Sequence, residues 1–330
     1  MTEGNADRGT LQPTVSARRL RRVYVEISNV CNLKCDFCPT VERQSQIMDE
    51  GTFRRVIQEV APLADEVCLH LMGEPLGHAL LPKFIGICGE FSLPVNLTTN
   101  GLLLTGPRRD ALLGHAVRQV NFSLQSFAAN FPDADPAVYL RRIFDFVREA
   151  QVVRPDLYIN LRLWDLAEPL GATQHNQVVR EALSAEFGCG ELWSMIDVRR
   201  KKRVRLSGRV YLAFDTRFEW PSMTSAVQGD RGFCHGLGTH VGIHADGTVV
   251  PCCLDKEAVI ALGNAREESL RSIIESPRAS AMRDGFARGE LVEDLCKRCT
   301  FIDRFARKPV VTRSLPGRPE AASRSEALLR

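Results

Sequence analysis

The sequence predicts an α/β protein built on a parallel sheet, open or closed into a barrel, followed by a smaller β-rich unit. Three observations predict it. Short apolar runs alternate with amphipathic ones through the first half of the 330-residue chain, the alternation weakens after Trp164, and Asp246-Gly247 joins two β-rich runs further on. Strands that recur with helices between them pair in parallel through right-handed βαβ units. An Asp-Gly pair between β-rich runs signals a hairpin. With 44% hydrophobic and 25% charged residues, the chain has the apolar content for a large core.

Each element has its own pattern. RVYVEIS (residues 22–28) predicts the first strand and leads into a cysteine-rich loop. DEGTFRRVIQEVAPLA places Phe53, Val56, Ile57 and Val60 on one helical face. EVCLHLM predicts a second strand and PKFIGICGEF a helix after it. PVNLTTNG is a third strand that stops at Asn100-Gly101, and QVNFSLQS is a fourth. PAVYLRRIFDFVREAQVV predicts a long helix, LYINLRLW a fifth strand, NQVVREALSAEFG a helix and VYLAFD a sixth strand. HVGIHADGTVVPCC carries the hairpin, and ESLRSIIES and RASAMRDGFARG predict two more helices. Turn-rich EWPSMTSAVQGD marks a domain boundary. The expected division is a flexible start at residues 1–20, a first domain at 21–218, a second at 219–308 and a disordered tail rich in Pro, Ser and Ala at 309–330.

Several classes are disfavoured. The polar N-terminus lacks the basic and apolar regions of a secretory signal, and no apolar run approaches the roughly 18–20 residues of a membrane span. A net charge of +3 does not by itself argue for nucleic acid. The expected location is the cytoplasm. There, eleven cysteines read as metal ligands or catalysts rather than disulfides.

Cys31, Cys35 and Cys38 follow the first strand with the spacing C-x3-C-x2-C. Zinc takes four ligands, and no fourth lies near in sequence, so a zinc site there needs a distant residue. Iron–sulfur clusters are held by thiolates on their irons, and three thiolates on a cube leave one iron open. Loops that follow the strands of a βα array are where barrel enzymes place their chemistry.

With Phe37 just before the last cysteine, this motif resembles the signature of the radical S-adenosylmethionine (SAM) enzymes. The resemblance spans roughly residues 22–164. It implies a partial (β/α)6 barrel, a 4Fe-4S cluster on Cys31, Cys35 and Cys38, and S-adenosyl-L-methionine bound to its open iron. Reductive cleavage of the cofactor then yields a 5′-deoxyadenosyl radical that abstracts hydrogen from substrate. Gly73, Glu74 and Pro75 resemble the family's G-G-E-P segment, which meets the methionine amino group; Met72 stands where the first glycine is usual. Asn100 sits in a recurring family turn, and Ser123 and Gln125 stand where ribose hydroxyls are met. Arg162 is placed for the cofactor carboxylate, a group that its planar fork suits. Without the resemblance, Ser123 and Gln125 read as lining a barrel interior and Arg162 as part of a structural ion pair.

A second cysteine group contains Cys234, Cys252, Cys253, Cys296 and Cys299. Four thiolates, Cys234, Cys252, Cys296 and Cys299, would complete a site, and a zinc ribbon is the plain reading. The spacing instead resembles the shortened "twitch" form of the SPASM auxiliary-cluster domain, implying a small α+β domain with a second 4Fe-4S cluster. Neighbours in a strand face opposite ways, so only Cys252 of the adjacent pair is expected to ligate. Cys253 is left as a buried thiol or a hydrogen donor.

The auxiliary domain resembles that of aminocyclitol and sugar dehydrogenases of antibiotic biosynthesis. The resemblance implies two-electron oxidation of a secondary alcohol to a ketone on a sugar or aminocyclitol. Arg217 is the first candidate to assist loss of the hydroxyl proton, with Asp215 and Glu219 as alternatives. Epimerisation with a Cys253 or Cys189 donor, peptide maturation and a zinc-binding interaction protein remain the other readings. RRKKRVR (residues 199–205) reads as a solvated turn or edge strand, or as a patch for a phosphate-bearing or nucleotide-linked substrate. The expected partners are a small-molecule substrate and an external electron donor such as flavodoxin or ferredoxin.

Overall fold

Strand follows helix along the chain in the order that the periodicity predicts, and the strands join one sheet. The computed structural model describes residues 19–164, 174–191, 193, 202–215 and 218–305. The strands are β1 (Arg22–Val25), β2 (Val67–Cys68), β3 (Val95–Thr99), β4 (Val117–Ser123), β5 (Tyr158–Trp164), β6 (Arg203–Ser207), β7 (Val210–Asp215), β8 (His240–Ile243), β9 (Thr248–Val250) and β10 (Gly263–Asn264). Their spatial order is β10-β9-β8-β1-β2-β3-β4-β5-β7-β6. From β1 to β5 and on to β7 every pairing is parallel. These six strands are the partial (β/α)6 barrel.

The helices between them are α1 (Glu50–Val60), α2 (Leu81–Glu90), α3 (Gly106–Leu112), α4 (Gln125–Asn130), α5 (Ala137–Val153) and α6 (Gln174–Phe187). Asp49 caps α1 by accepting from the Thr52 amide at 2.8 Å, and the predicted apolar face is buried. Phe53 of α1 stacks on Phe84 of α2 with ring centroids 3.9 Å apart, which locks the two helices onto the sheet.

The other side of the sheet is partly polar. Asn121 donates to Asn96 at 2.9 Å and accepts from Asn160 at 2.7 Å, forming a buried amide row across three strands. Pairing offsets much of the cost of burying such groups, although Asn160 Oδ1 is left without a partner.

The stretch from Cys234 to Cys253 runs through elements that extend this sheet, and Cys296 and Cys299 lie beyond them at a 3₁₀ turn. β8 pairs in parallel with β1, and β9 and β10 add antiparallel strands beyond it. The hairpin between β8 and β9 turns at Gly247 with φ +90°, a conformation glycine reaches without strain. Two helices follow, α7 (Leu270–Ile274) and α8 (Pro277–Arg288).

Local differences have identifiable causes. β2 is two residues long because the His70 ring, not a strand carbonyl, accepts the Thr98 backbone N–H at 3.2 Å. The fourth strand ends at Ser123, so Gln125 opens α4 instead of closing a strand. Cys252 and Cys253 lie past β9 in a turn, so strand alternation does not separate them. Arg203 and Arg205, from the basic run, are on the antiparallel edge strand β6, and Arg203 packs over the Tyr211 ring at 3.6 Å. Arg199, Arg200, Lys201 and Arg217 lie outside the described residues, as do the start expected to be flexible (1–20), apart from residues 19 and 20, and the tail expected to be disordered (309–330). Among the described residues, no helix is long and apolar enough to cross a membrane.

Candidate active site and cluster sites

A cavity of about 300 Å³ opens at the C-terminal ends of the barrel strands. Cys31, Cys35 and Cys38 all line it, with Phe37 between them. So do Gly73, Glu74, Asn100, Ser123, Gln125 and Arg162. Pro75 is buried behind, at the start of the 3₁₀ turn Pro75–Gly77, and is not part of the lining.

The cysteine loop is held by side chains far away in sequence. Asn130, the last residue of α4, donates to the Cys35 sulfur at 3.1 Å and accepts the Lys34 amide at 2.8 Å. Asn100 donates to Asn32 at 2.8 Å, and its carbonyl accepts the Tyr139 hydroxyl at 2.8 Å. The Cys38 thiol hydrogen-bonds Cys35 and draws the Cys35 thiol down to about 6 despite burial, with help from Asn130 and Ser126. Partial desolvation at the cavity pushes the Cys31 thiol up although the residue is exposed, against an amide donor from Leu33.

Glu74 is buried and makes three bonds. It accepts from Thr99 Oγ1 at 2.6 Å, from the Asn100 amide at 2.8 Å and from the Leu76 amide at 2.9 Å. Burial still raises its carboxyl above the ordinary range. A carboxylate has about four acceptor positions, so one is left for a ligand amine.

Gly73 has φ +75°, and a Cβ there would lie 2.2 Å from the Ser28 carbonyl oxygen. Gly73→Ala therefore has to move the backbone that joins the Met72–Glu74 segment to the cysteine loop. We expect a loss of about 1–3 kcal/mol from the strained backbone alone and loss of ligand binding at this cavity. Chemical denaturation and equilibrium dialysis with S-adenosylmethionine check it, and wild-type values for both would contradict the constraint.

A second cavity, about 150 Å³, is lined by Cys234, Cys252, Cys253, Cys296 and Cys299. Its remaining wall is largely apolar, including Ile260, Phe286, Leu291 and Leu295. Burial pushes the Cys234, Cys252, Cys296 and Cys299 thiols up. The Gly236 amide donates to Cys234 at 3.3 Å. Among the described residues, no three Cys, His, Asp or Glu side chains converge as a single-ion site. The thiols instead ring a void.

The two cavities share a partition. Tyr24, Cys253, Leu254 and Phe301 line both. Tyr24 hydrogen-bonds Cys253, whose thiol burial raises to about 11. On the outer side of the first cavity stand Asp215, Phe218 and Trp220. Asp215 pairs with Arg304 at 2.8 Å, and Arg304 packs over the Phe218 and Phe301 rings. His70 also faces the first cavity, with its pKa brought down to about 3 by burial, so it is neutral near pH 7.

Sequence reasoning named the thiols of both cavities. It missed Asn32, Asn130 and Tyr24, which carry no motif; an asparagine on a short unpredicted helix gives no local signal.

The residues fit iron–sulfur and S-adenosylmethionine chemistry. Soft thiol donors suit iron–sulfur ligation. In the first cavity the buried Gln125 Oε1 has no hydrogen-bond partner, an acceptor left over for a ligand hydroxyl.

Known proteins resemble this chain in sequence and fold. Residues 25–160 match the radical SAM superfamily, and residues 234–300 match the SPASM iron-sulfur cluster-binding domain. The chain is 26% identical over 291 residues to a PqqA peptide cyclase of Methylobacterium sp. (strain 4-46), covering 79% of this chain and 74% of that protein. It is 31% identical over 117 residues to a GTP 3′,8-cyclase of Synechocystis sp. (strain ATCC 27184 / PCC 6803 / Kazusa), covering 34% of this chain and 36% of that enzyme's length. Among solved structures, BtrN in complex with AdoMet and 2-DOIA has a TM-score of 0.55 at 17% identity, covering 85% of this chain and 93% of that one. Streptococcus suis SuiB bound to its precursor peptide SuiA has a TM-score of 0.56 at 14% identity, covering 88% of this chain and 74% of that one. At these identities the two structures show a shared fold. The family matches bring their cofactors with them: S-adenosyl-L-methionine and two 4Fe-4S clusters, one binding that cofactor and one auxiliary. The chain carries a radical SAM domain at residues 25–160 and a C-terminal SPASM domain at residues 234–300.

Proposed function

We propose that the chain oxidises a secondary alcohol of a sugar-like or aminocyclitol ring to a ketone. Cys31, Cys35 and Cys38 hold the cluster that binds S-adenosylmethionine, and Cys234, Cys252, Cys296 and Cys299 hold the auxiliary cluster. The observation that carries the reading is the partition: among the described residues, Tyr24, Cys253, Leu254 and Phe301 face both cavities. When bound, these groups supply a 5′-deoxyadenosyl radical for hydrogen abstraction and a nearby acceptor for the second electron.

The remaining steps belong to side chains. Gln125 and Ser123 accept and donate at ribose hydroxyls, Glu74 accepts from the methionine amine, and Arg162 forks onto its carboxylate. Phe218, Trp220 and Phe301 offer flat faces to a ring, and Asp215 faces the same space. Asp215, which lines the cavity, is our candidate to accept the hydroxyl proton; Glu219 is exposed and outside the lining. Reduction of the first cluster calls for an external donor such as flavodoxin or ferredoxin.

A peptide-modifying reading has its own support, because the match to a PqqA peptide cyclase runs over 79% of this chain. Epimerisation, with Cys253 returning hydrogen, rests on that thiol facing the first cavity. One experiment separates the three. Anaerobically reconstituted protein with about eight irons is reduced and given S-adenosylmethionine, with a panel of aminocyclitols, sugars and peptides in deuterated water. A ring product lighter by two hydrogens supports oxidation. Solvent deuterium at a ring carbon supports epimerisation, and turnover of peptides alone supports maturation.

A further inference from the structure

One carboxylate outside both cavities ties together the segments that build them. Glu26, just past β1, is fully buried at 0% exposure. Both of its oxygens accept from Arg43 Nη2, each at 3.0 Å. It also accepts the Ala245 amide at 3.3 Å and the Met72 amide. Arg43 comes from the loop that carries Cys31, Cys35 and Cys38. Met72 opens the segment with Gly73 and Glu74, and Ala245 is in the hairpin before Cys252.

The knot continues outward. Arg43 Nε donates to the Lys256 carbonyl at 2.6 Å. The Glu257 carboxylate accepts the Glu42 amide at 3.0 Å and the Arg43 amide at 3.1 Å. Lys256 Nζ donates to the Thr40 carbonyl at 2.8 Å. Thr40 follows Cys38 by two residues, and Lys256 follows Cys253 by three. The stretch just after the third N-terminal thiol is thus clamped to the stretch just after the auxiliary pair. Its outer bonds run to Glu257 and Lys256, and its inner bonds to buried Glu26.

We propose that Glu26, Arg43 and Glu257 form a hub that couples the two cluster sites: ordering of the Cys252–Cys253 turn fixes the cysteine loop in the form that binds S-adenosylmethionine. The proposal rests on the cluster assignment given under the proposed function. The turn is ordered by its own ligation, with Asp255 accepting the Val259 and Ile260 amides at 2.9 and 2.8 Å behind it. Coupling of this kind is reciprocal, so S-adenosylmethionine binding also steadies the auxiliary site. Glu26, Arg43 and Glu257 are positioning residues, since none lines either cavity.

The test is equilibrium binding of S-adenosylmethionine to oxidised, anaerobically reconstituted full-length protein, where no cleavage occurs. It uses a double-mutant cycle of Cys296→Ala and Glu257→Ala. Glu257 lies at the periphery, so its removal leaves Glu26 paired with Arg43. Each single variant is expected to weaken binding about tenfold, and the double variant no more than either single one. Hydrogen exchange at residues 39–45 is expected to speed up in both. Fully additive losses, or affinity and exchange in Cys296→Ala equal to wild type, overturn the coupling. Wild-type protein that binds no S-adenosylmethionine overturns the cluster assignment, and the hub with it.

Discussion

Cys31→Ala, Cys35→Ala and Cys38→Ala each reduce S-adenosylmethionine cleavage to background. Each leaves an iron of the first cluster without its thiolate, and among the described residues Cys253, the other thiol lining that cavity, belongs to the partition. The fold should survive. Cys31 and Cys38 are exposed and Cys35 is half-exposed, so their removal leaves no large core void. The measurements are 5′-deoxyadenosine by chromatography, iron content and circular dichroism. Iron should fall by about four per chain with the helical signal intact. A single alanine variant that still cleaves the cofactor at the wild-type rate would remove that cysteine from the ligand set.

Cys296→Ala should separate two activities. Given saturating S-adenosylmethionine, the variant retains most cofactor cleavage and loses most product, because abstraction needs the first site whereas net oxidation needs an electron acceptor beyond the partition. Saturation matters because the hub predicts weaker binding in the same variant. The ratio of 5′-deoxyadenosine to oxidised product, near one in the wild type under this mechanism, should rise by an order of magnitude or more, about 1.4 kcal/mol for each tenfold. Equal loss of both would mean that the auxiliary cluster is structural or binds substrate. Unchanged product would mean that it takes no part.

The barrel was legible because its signals are local. Phe53, Val56, Ile57 and Val60 recur at helical spacing and are buried together. The spacing of Cys31, Cys35 and Cys38 is likewise a property of eight consecutive residues. The two thiol groups, and the separation between them, followed from spacing as well. Less visible were features that depend on a partner elsewhere. Nothing in EVCLHLM announces that its strand stops after Cys68, since that depends on His70 meeting Thr98 across the sheet. The alternation rule applied to Cys252 and Cys253 presumes a strand, and the backbone there is a turn.

By itself the sequence determined the parallel βα order, the two cysteine sets and the radical SAM resemblance, all of them patterns among chain neighbours. Only the tertiary structure decided that Tyr24, Cys253, Leu254 and Phe301 divide two cavities, and that Arg43 closes on Glu26 and Lys256. The physical reason is distance along the chain. Arg43 and Lys256 are 213 positions apart, and their bond forms only because β8 docks beside β1. A buried carboxylate such as Glu26 is tolerated only where that docking brings donors to it.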